Sequence, residues 1–250
     1  MIRKYYLGFR NYQRNTGQAH VLAFADPDLE SSSGDDDDGD VSGSPLVPAN
    51  STTSTNSLFR RDTGSAPLTK VPNANLWYGS ISVGTPVQTF TVEFDTGSSD
   101  LFLPGPSCAG QGCAGHKKYL PASSSTAADL GRGFMSTYGP RQSVSGRLYS
   151  DTVDIAGLTA TGQALGAADR YTAGFAKSVF PPDGVLGMGY QSISTYNLPP
   201  VFANLVTQGE TTDSVFAFKL AQTGSELTLG GVNNALYTGS FSGSPVNPEV

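Results

Sequence analysis

Thr89–Pro104 reads TFTVEFDTGSSDLFLP, and a change of pattern divides it at Asp95. Phe90, Val92 and Phe94 alternate with Thr89, Thr91 and Glu93, the period-two pattern of a strand with one buried face. The strand runs directly into Asp95-Thr96-Gly97, so a carboxylate stands where the strand stops. Gly97 lets the backbone turn back sharply, and Thr96 and Ser98 can hydrogen-bond to backbone or to a carboxylate. A second apolar segment, Leu101–Leu103, follows and closes on Pro104. A buried Asp capping a turn would account for the tripeptide alone. The chain carries its own control, Asp62-Thr63-Gly64, which follows Leu58-Phe59-Arg60-Arg61 without an alternating strand and reads as linker. Strand, turn and second strand together favour a catalytic acid at Asp95.

The composition agrees with a β protein. At 250 residues the chain is long enough for one large all-β domain or two smaller ones with a real core. Charged residues are only 14%, against 30 Gly and 16 Pro, so helix-covering side chains are scarce and turn formers abundant. The net charge of -6 and the absence of any basic run beyond two residues argue against a nucleic-acid partner. Sparse Lys and Arg suit work at low pH, where protonating the carboxylates would otherwise leave a large repelling positive charge. No stretch is long and apolar enough to span a membrane, and no apolar run of signal-peptide length follows the basic, aromatic start MIRKYYLGFRNYQR.

The residues around Asp95 resemble the first catalytic loop of the pepsin-like aspartic proteases. The resemblance implies an all-β lobe, barrel-like or sandwich-like, with a hairpin flap and one or two short helices. It implies that Asp95 is one of two carboxylates that share a proton and hold the attacking water, a pairing known to split two carboxyl titrations in this family. Thr96, Gly97 and Ser98 would support that loop. Leu76–Val83 and Val87–Phe94, joined by Gly84-Thr85-Pro86, read as a hairpin feeding Asp95. Phe134–Tyr138 and Val144–Val153 make a second hairpin, which in the family is a flap; Tyr138 and Gly139 are then its functional residues, gating binding and excluding water.

Two departures bear on that flap. Relatives carry a small Gly-containing tip where this chain has Pro140-Arg141-Gln142, and Pro removes a backbone donor. Many relatives place Trp where Phe102 stands, and Phe cannot donate the indole hydrogen bond to the flap tyrosine. Cys108 and Cys113 enclose four residues, and His116 is the only further metal-ligand candidate nearby, so a small local disulfide fits better than zinc; the family carries such a loop at this position. No metal and no cofactor are expected.

Downstream, Phe180–Tyr190 (FPPDGVLGMGY) resembles the strand and loop that pack beneath the family's active site, with Gly184, Gly187 and Gly189 permitting close backbone approach. Val201, Phe202, Leu205 and Val206 form the stripe of a short helix, and Val215–Leu220 and Glu226–Gly231 read as strands. Upstream, SSSGDDDDGD at 31–40 and STTSTNS at 51–57 are polar, low-complexity tracts. Arg60-Arg61 is a dibasic pair of the kind that fungal members carry before the mature domain, which makes residues 1–61 a propeptide whose six basic residues pair with active-site carboxylates near neutral pH. Residues 62–75 then read as a linker, 76–240 as the N-terminal lobe with the start of a bridge, and 241–250 as the start of a second lobe.

The function expected is an aspartic-type endopeptidase acting on polypeptides at acidic pH, secreted or vacuolar, and monomeric when both lobes are present. The family's second lobe supplies another Asp-Thr/Ser-Gly loop, and none lies among Asp151, Asp154, Asp169, Asp183 or Asp213. A lone acid cannot serve as base and acid at once, so residues 1–250 by themselves are expected to be inactive. The other readings are a one-lobe peptide-binding or inhibitory fragment, a homodimer pairing Asp95 across a two-fold, and an inverting-glycosidase pair formed by Glu93 and Asp95, about 7 Å apart on one strand face. Glu93, however, lies within the strand and no aromatic sugar platform flanks it.

Overall fold

The computed structural model describes residues 62–139 and 142–244, together with the backbone of residues 20–25. In chain order the strands are β1 (His20–Ala25), β2 (Gly64–Lys70), β3 (Trp77–Val83), β4 (Gln88–Asp95), β5 (Leu101–Pro104), β6 (Ala128–Tyr138), β7 (Gln142–Ile155), β8 (Leu158–Tyr171), β9 (Gly184–Gly187), β10 (Val215–Leu220) and β11 (Ser225–Leu229). One α-helix, α1 (Val201–Thr207), occurs among the described residues. It buries Val201, Phe202 and Leu205, three residues of the expected stripe. The fold is all-β, as the sequence indicates.

Six strands close on themselves in the order β3-β4-β9-β5-β8-β7, the closure being the antiparallel pairing of Ser82 and Val83 with Asp154 and Val153. Closure removes the exposed edges that a flat sheet would present. β3 and β4 form the expected hairpin, in register from Tyr78 opposite Glu93 to Val83 opposite Gln88. β6 and β7 form the second, with Tyr138 opposite Gln142. Pro140 and Arg141, of the expected flap tip, lie outside the described residues, as do Arg60 and Arg61. Beyond β3 the sheet runs on through β2, β11 and β10 to β1.

The alternation on β4 does what the sequence required. Phe90, Val92 and Phe94 are buried, and with Ile81, Leu101, Leu103, Leu165 and Leu186 they fill the barrel. A second apolar cluster, including Phe102, Phe134, Tyr138, Tyr171, Phe175 and Val185, lies along the β6–β7 hairpin.

Two segments differ from the sequence reading. Residues 62–75 are not simply a linker, because Gly64–Lys70 is a strand hydrogen-bonded to β11 on one side and, at Thr69 and Lys70, to β3 on the other. Its inward positions are Gly64, Ala66 and Leu68, so the alternation is present but muted by small side chains. A larger residue at Gly64 would crowd its neighbours, since a Cβ there would lie 3.1 Å from the Ala156 Cβ and carbonyl oxygen. Within the first 61 residues, His20–Ala25 pairs antiparallel with β10, from His20 opposite Leu220 to Ala25 opposite Val215. The continuous apolar run Val21–Ala25 is its sequence signal.

Three acids are buried, and each is fully engaged. Asp151 accepts from the Tyr119 hydroxyl at 2.7 Å, from Ser124 and Thr126, and from the Thr152 amide at 2.8 Å. Asp100 accepts from the Ser194 hydroxyl at 2.6 Å and from the Thr195 amide and hydroxyl. Asp183 accepts from the Thr91 amide and hydroxyl, each at 3.0 Å, from the Lys117 amide at 2.9 Å and from the Lys177 ammonium at 3.1 Å. Burial opposes ionisation of Asp183, but nearby His116 and the donors from Lys117, Thr91 and Lys177 outweigh it and hold the carboxyl well below the usual carboxylate range. Such a group contributes stability that is present above the unfolded-state pKa and lost as pH falls through the folded one. Asp183→Asn should therefore lower stability by about 3 kcal/mol in urea unfolding at pH 7, the gap from the parent protein narrowing as pH falls below about 4.

Candidate active site

Asp95 is the last residue of β4 and pairs with Gly187 at the end of β9. Its own loop supplies both partners for the carboxylate. The Gly97 amide donates to Oδ1 at 2.9 Å and the Ser98 hydroxyl to Oδ2 at 2.7 Å. Thr96 makes no contact of this kind; it completes the turn, and the loop's backbone is tied down from beneath. The Met188 amide donates to the Asp95 carbonyl at 2.8 Å, Gly187 to the Asp100 carbonyl at 3.0 Å, and Gly189 to the Ser98 carbonyl at 2.8 Å. The Ser99 hydroxyl returns a bond to the Tyr190 carbonyl at 2.6 Å.

The glycines of Phe180–Tyr190 make this approach possible. A Cβ on Gly187 would lie 2.4 Å from the amides of Ser99 and Asp100, and one on Gly184 would lie 2.0 Å from the Phe102 carbonyl oxygen. Contacts that short do not occur, so any side chain would push the two loops apart.

Tyr138 stands over this loop. It is buried, its ring 5.5 Å from Phe102 and 6.0 Å from Phe175. Burial and the charges of Asp100 and Asp95 push the phenol well above its usual pKa, which keeps it neutral. Gly139, which follows, takes a positive φ of 63° with open space around it, as a hairpin turn needs.

Cys108 and Cys113 are joined by a disulfide with Cα atoms 5.7 Å apart, and both pack into the cluster that holds Tyr138. His116 has a structural place that the sequence reading did not assign. It is buried, its Nε2 lies 2.7 Å from the Phe175 carbonyl, and its Nδ1 is 3.8 Å from Asp183. No signal in the sequence marks it, because both partners are distant in the chain. Asp62 meets none of these groups; its backbone bridges to Thr211 and accepts from the Thr212 amide at 3.0 Å.

Glu93 shares the outward face of β4 with Asp95, and both are half-buried. Burial, and next the charge of Asp95, push the Glu93 carboxyl up to about 8.

A closed β-barrel lobe carrying an Asp-Thr-Gly-Ser loop at a strand end, under a hairpin tyrosine, is the architecture of an acid-protease lobe. The family model described as eukaryotic aspartyl protease matches residues 76–249, and the chain belongs to that family. It is 40% identical over 191 residues to "Aspartic protease" of Phaffia rhodozyma, covering 76% of this chain and 46% of that protein. It is 40% identical to "Pepsin-2B" of Gadus morhua and 39% identical to "Pepsin A" of Sus scrofa, each over 176 residues and 69% of this chain, which is 54% and 45% of those proteins. The chain spans about half the length of these curated relatives. The glycosidase reading of Glu93 and Asp95 gives way to this membership.

Glu93 leaves a mark on stability whatever its role. Its folded pKa is raised, so the folded state holds a proton that the unfolded chain gives up, and stability is lost as pH rises from the ordinary value of 4.5 towards about 8. Glu93→Gln removes that loss. In urea titrations the variant should gain on the parent protein steadily across this window and match it most closely at the acidic end.

Proposed function

We propose that the chain forms one lobe of an aspartic endopeptidase that hydrolyses polypeptides at acidic pH, with Asp95 supplying one of the two carboxylates. The observation that carries the proposal is the setting of Asp95: a carboxylate at a strand end, half-exposed, fixed by Gly97 and Ser98, with Tyr138 above it. Ser98 and the Gly97 amide hold the acid in one orientation, so that its accessible oxygen can take a proton from a water molecule lying between it and the scissile carbonyl. Tyr138, Phe102 and Phe175 provide an apolar wall that excludes other water when the flap closes on a peptide.

The second carboxylate is supplied in the family by the other lobe. Asp100, Asp151 and Asp183 cannot replace it, because each is buried and committed to several donors. Glu93 cannot share a proton with Asp95 either, since residues two apart on a strand are separated by about 7 Å. Residues 1–250 alone therefore lack the acid that protonates the carbonyl as Asp95 deprotonates water, and lose at least about 100-fold in rate.

Residues 1–61 act in this reading as a propeptide removed after Arg61, and the pairing of His20–Ala25 with β10 gives that segment a docking strand on the lobe. The disulfide favours an oxidising compartment, in keeping with a secreted or vacuolar enzyme. No helix among the described residues is long and apolar enough to cross a membrane.

The test is hydrolysis of a denatured protein at low pH by the full-length gene product and by residues 1–250. Cleavage is expected from the former, inhibited by pepstatin and abolished by Asp95→Asn but unaffected by Asp62→Asn. Equal activity in residues 1–250 overturns the two-lobe account.

A further inference from the structure

One side chain on β6 breaks the apolar pattern of its own inward face. The inward positions near the end of the strand are Phe134, Ser136 and Tyr138, and Ser136 is as buried as the two aromatic residues that flank it, at 6% exposure. A hydroxyl in that position costs stability unless it is hydrogen-bonded. Its partner is the Thr195 hydroxyl, 2.7 Å away and 59 residues on in the chain.

The two hydroxyls belong to a series with a fixed direction. Thr195 gives its one hydroxyl hydrogen to Oδ2 of Asp100, so the hydrogen between Ser136 and Thr195 comes from Ser136. Donation to a carboxylate polarises the Thr195 hydroxyl and makes its oxygen a better acceptor for Ser136. Asp100 is held in turn by the Ser194 hydroxyl at 2.6 Å and the Thr195 amide at 2.8 Å. Thr195 is exposed, so water competes for the bond, and the contact can open where one in the core could not.

The position of Ser136 gives the contact a purpose. Arg132, Phe134 and Ser136, alternate residues of β6, all meet the same segment: Arg132 donates to the Tyr196 carbonyl at 3.0 Å, and the Phe134 ring lies 5.2 Å from that of Tyr196. The next residue in the series, Tyr138, packs on Phe102 and Phe175. The β7 side of the hairpin is tied elsewhere, by Gln142 to the Gly174 carbonyl at 3.0 Å and by the Ser143 amide to the Thr172 hydroxyl at 2.9 Å. Ser136 is thus the β6 anchor nearest to Tyr138 on this segment.

We propose that Ser136 and Thr195 are positioning residues: their hydrogen bond latches β6 to Asp100 and holds the β6–β7 hairpin, with Tyr138, in place before a peptide binds. The inference rests on the peptidase reading above. A latched hairpin meets the peptide as a formed surface, whereas an unlatched one has to be ordered during binding, which weakens affinity. The chemical step is untouched, because the Asp95 carboxylate is oriented by Gly97 and Ser98, and neither belongs to the series of hydroxyls. Loss of the latch therefore raises KM and leaves kcat as it was.

The experiment combines hydrogen exchange with kinetics on the full-length gene product and its Ser136→Ala, Thr195→Val and Thr195→Ser variants. Amide exchange of residues 134–138 should quicken about three- to tenfold in Ser136→Ala and in Thr195→Val, with residues 88–95 of β4 unchanged. With a quenched fluorescent peptide drawn from the cleavage products of a denatured protein, KM at acidic pH should rise by a similar factor while kcat stays within about twofold. Thr195→Ser, which keeps the hydroxyl, should match the wild type in both measurements. Combining Ser136→Ala with Thr195→Val should add nothing to the effect of Thr195→Val alone. Unaltered exchange in both single variants, exchange that rises equally in β4, additive effects in the double variant, or a fall in kcat at constant KM overturns the proposal. Absence of hydrolysis at every pH, with the exchange pattern retained, overturns the peptidase reading alone.

Discussion

The lobe depends on the contact between the Asp95 loop and the loop after β9. Three backbone hydrogen bonds, from Gly187, Met188 and Gly189 to the carbonyls of Asp100, Asp95 and Ser98, lock the two together. They form only because Gly187 and Gly189 carry no side chain where Ser98, Ser99 and Asp100 lie. Short backbone contacts of this kind are stiff, which holds the Asp95 carboxylate in one position. The neighbouring acids extend the lock. Asp183 ties β4, through Thr91, to Lys117 and Lys177, and Asp100 ties the end of the Asp95 loop to Ser194 and Thr195.

This arrangement also reconciles a stable fold with acidic conditions. Acid unfolds proteins mainly by protonating carboxylates whose ionised form the native state needs. Here Asp183 is buried among donors that depress its pKa, so it stays ionised well into the acidic range. Glu93 works in the opposite sense, since it is most comfortable when protonated. One lobe therefore contains an acid that resists protonation and another that resists ionisation, and both favour the folded state at mildly acidic pH. The sparse basic residues noted in the sequence act in the same direction by limiting repulsion once other carboxylates are neutralised.

Much of this was legible in the sequence wherever the pattern was local. The alternation of Phe90, Val92 and Phe94 gave a strand, Asp95-Thr96-Gly97-Ser98 gave its loop, and the glycines of Phe180–Tyr190 marked a close backbone approach. β2 was hidden because its inward residues are Gly64, Ala66 and Leu68, two of them too small to register as a hydrophobic face. β1 was hidden by its polar, low-complexity surroundings. Apart from Lys177, six residues from Asp183, the partners of Asp100, Asp183 and His116 were not legible, since they lie 59 to 96 residues away in the chain. Glu93 was visible as a second acid, but the burial that raises its pKa depends on what the folded strands place around it.

Phe102 shows how one side chain sets what holds the tyrosine of the β6–β7 hairpin. A tryptophan at that position would offer an indole donor to Tyr138 and hold the phenol from the side. Phenylalanine offers only its ring, and the tyrosine packs against it at 5.5 Å. Ser98 donates to Oδ2 of Asp95. Tyr138 is thus held by ring packing against Phe102 and Phe175, while the Asp95 carboxylate is oriented by its own loop through Gly97 and Ser98, so the hairpin tyrosine and the acid are positioned by separate sets of contacts.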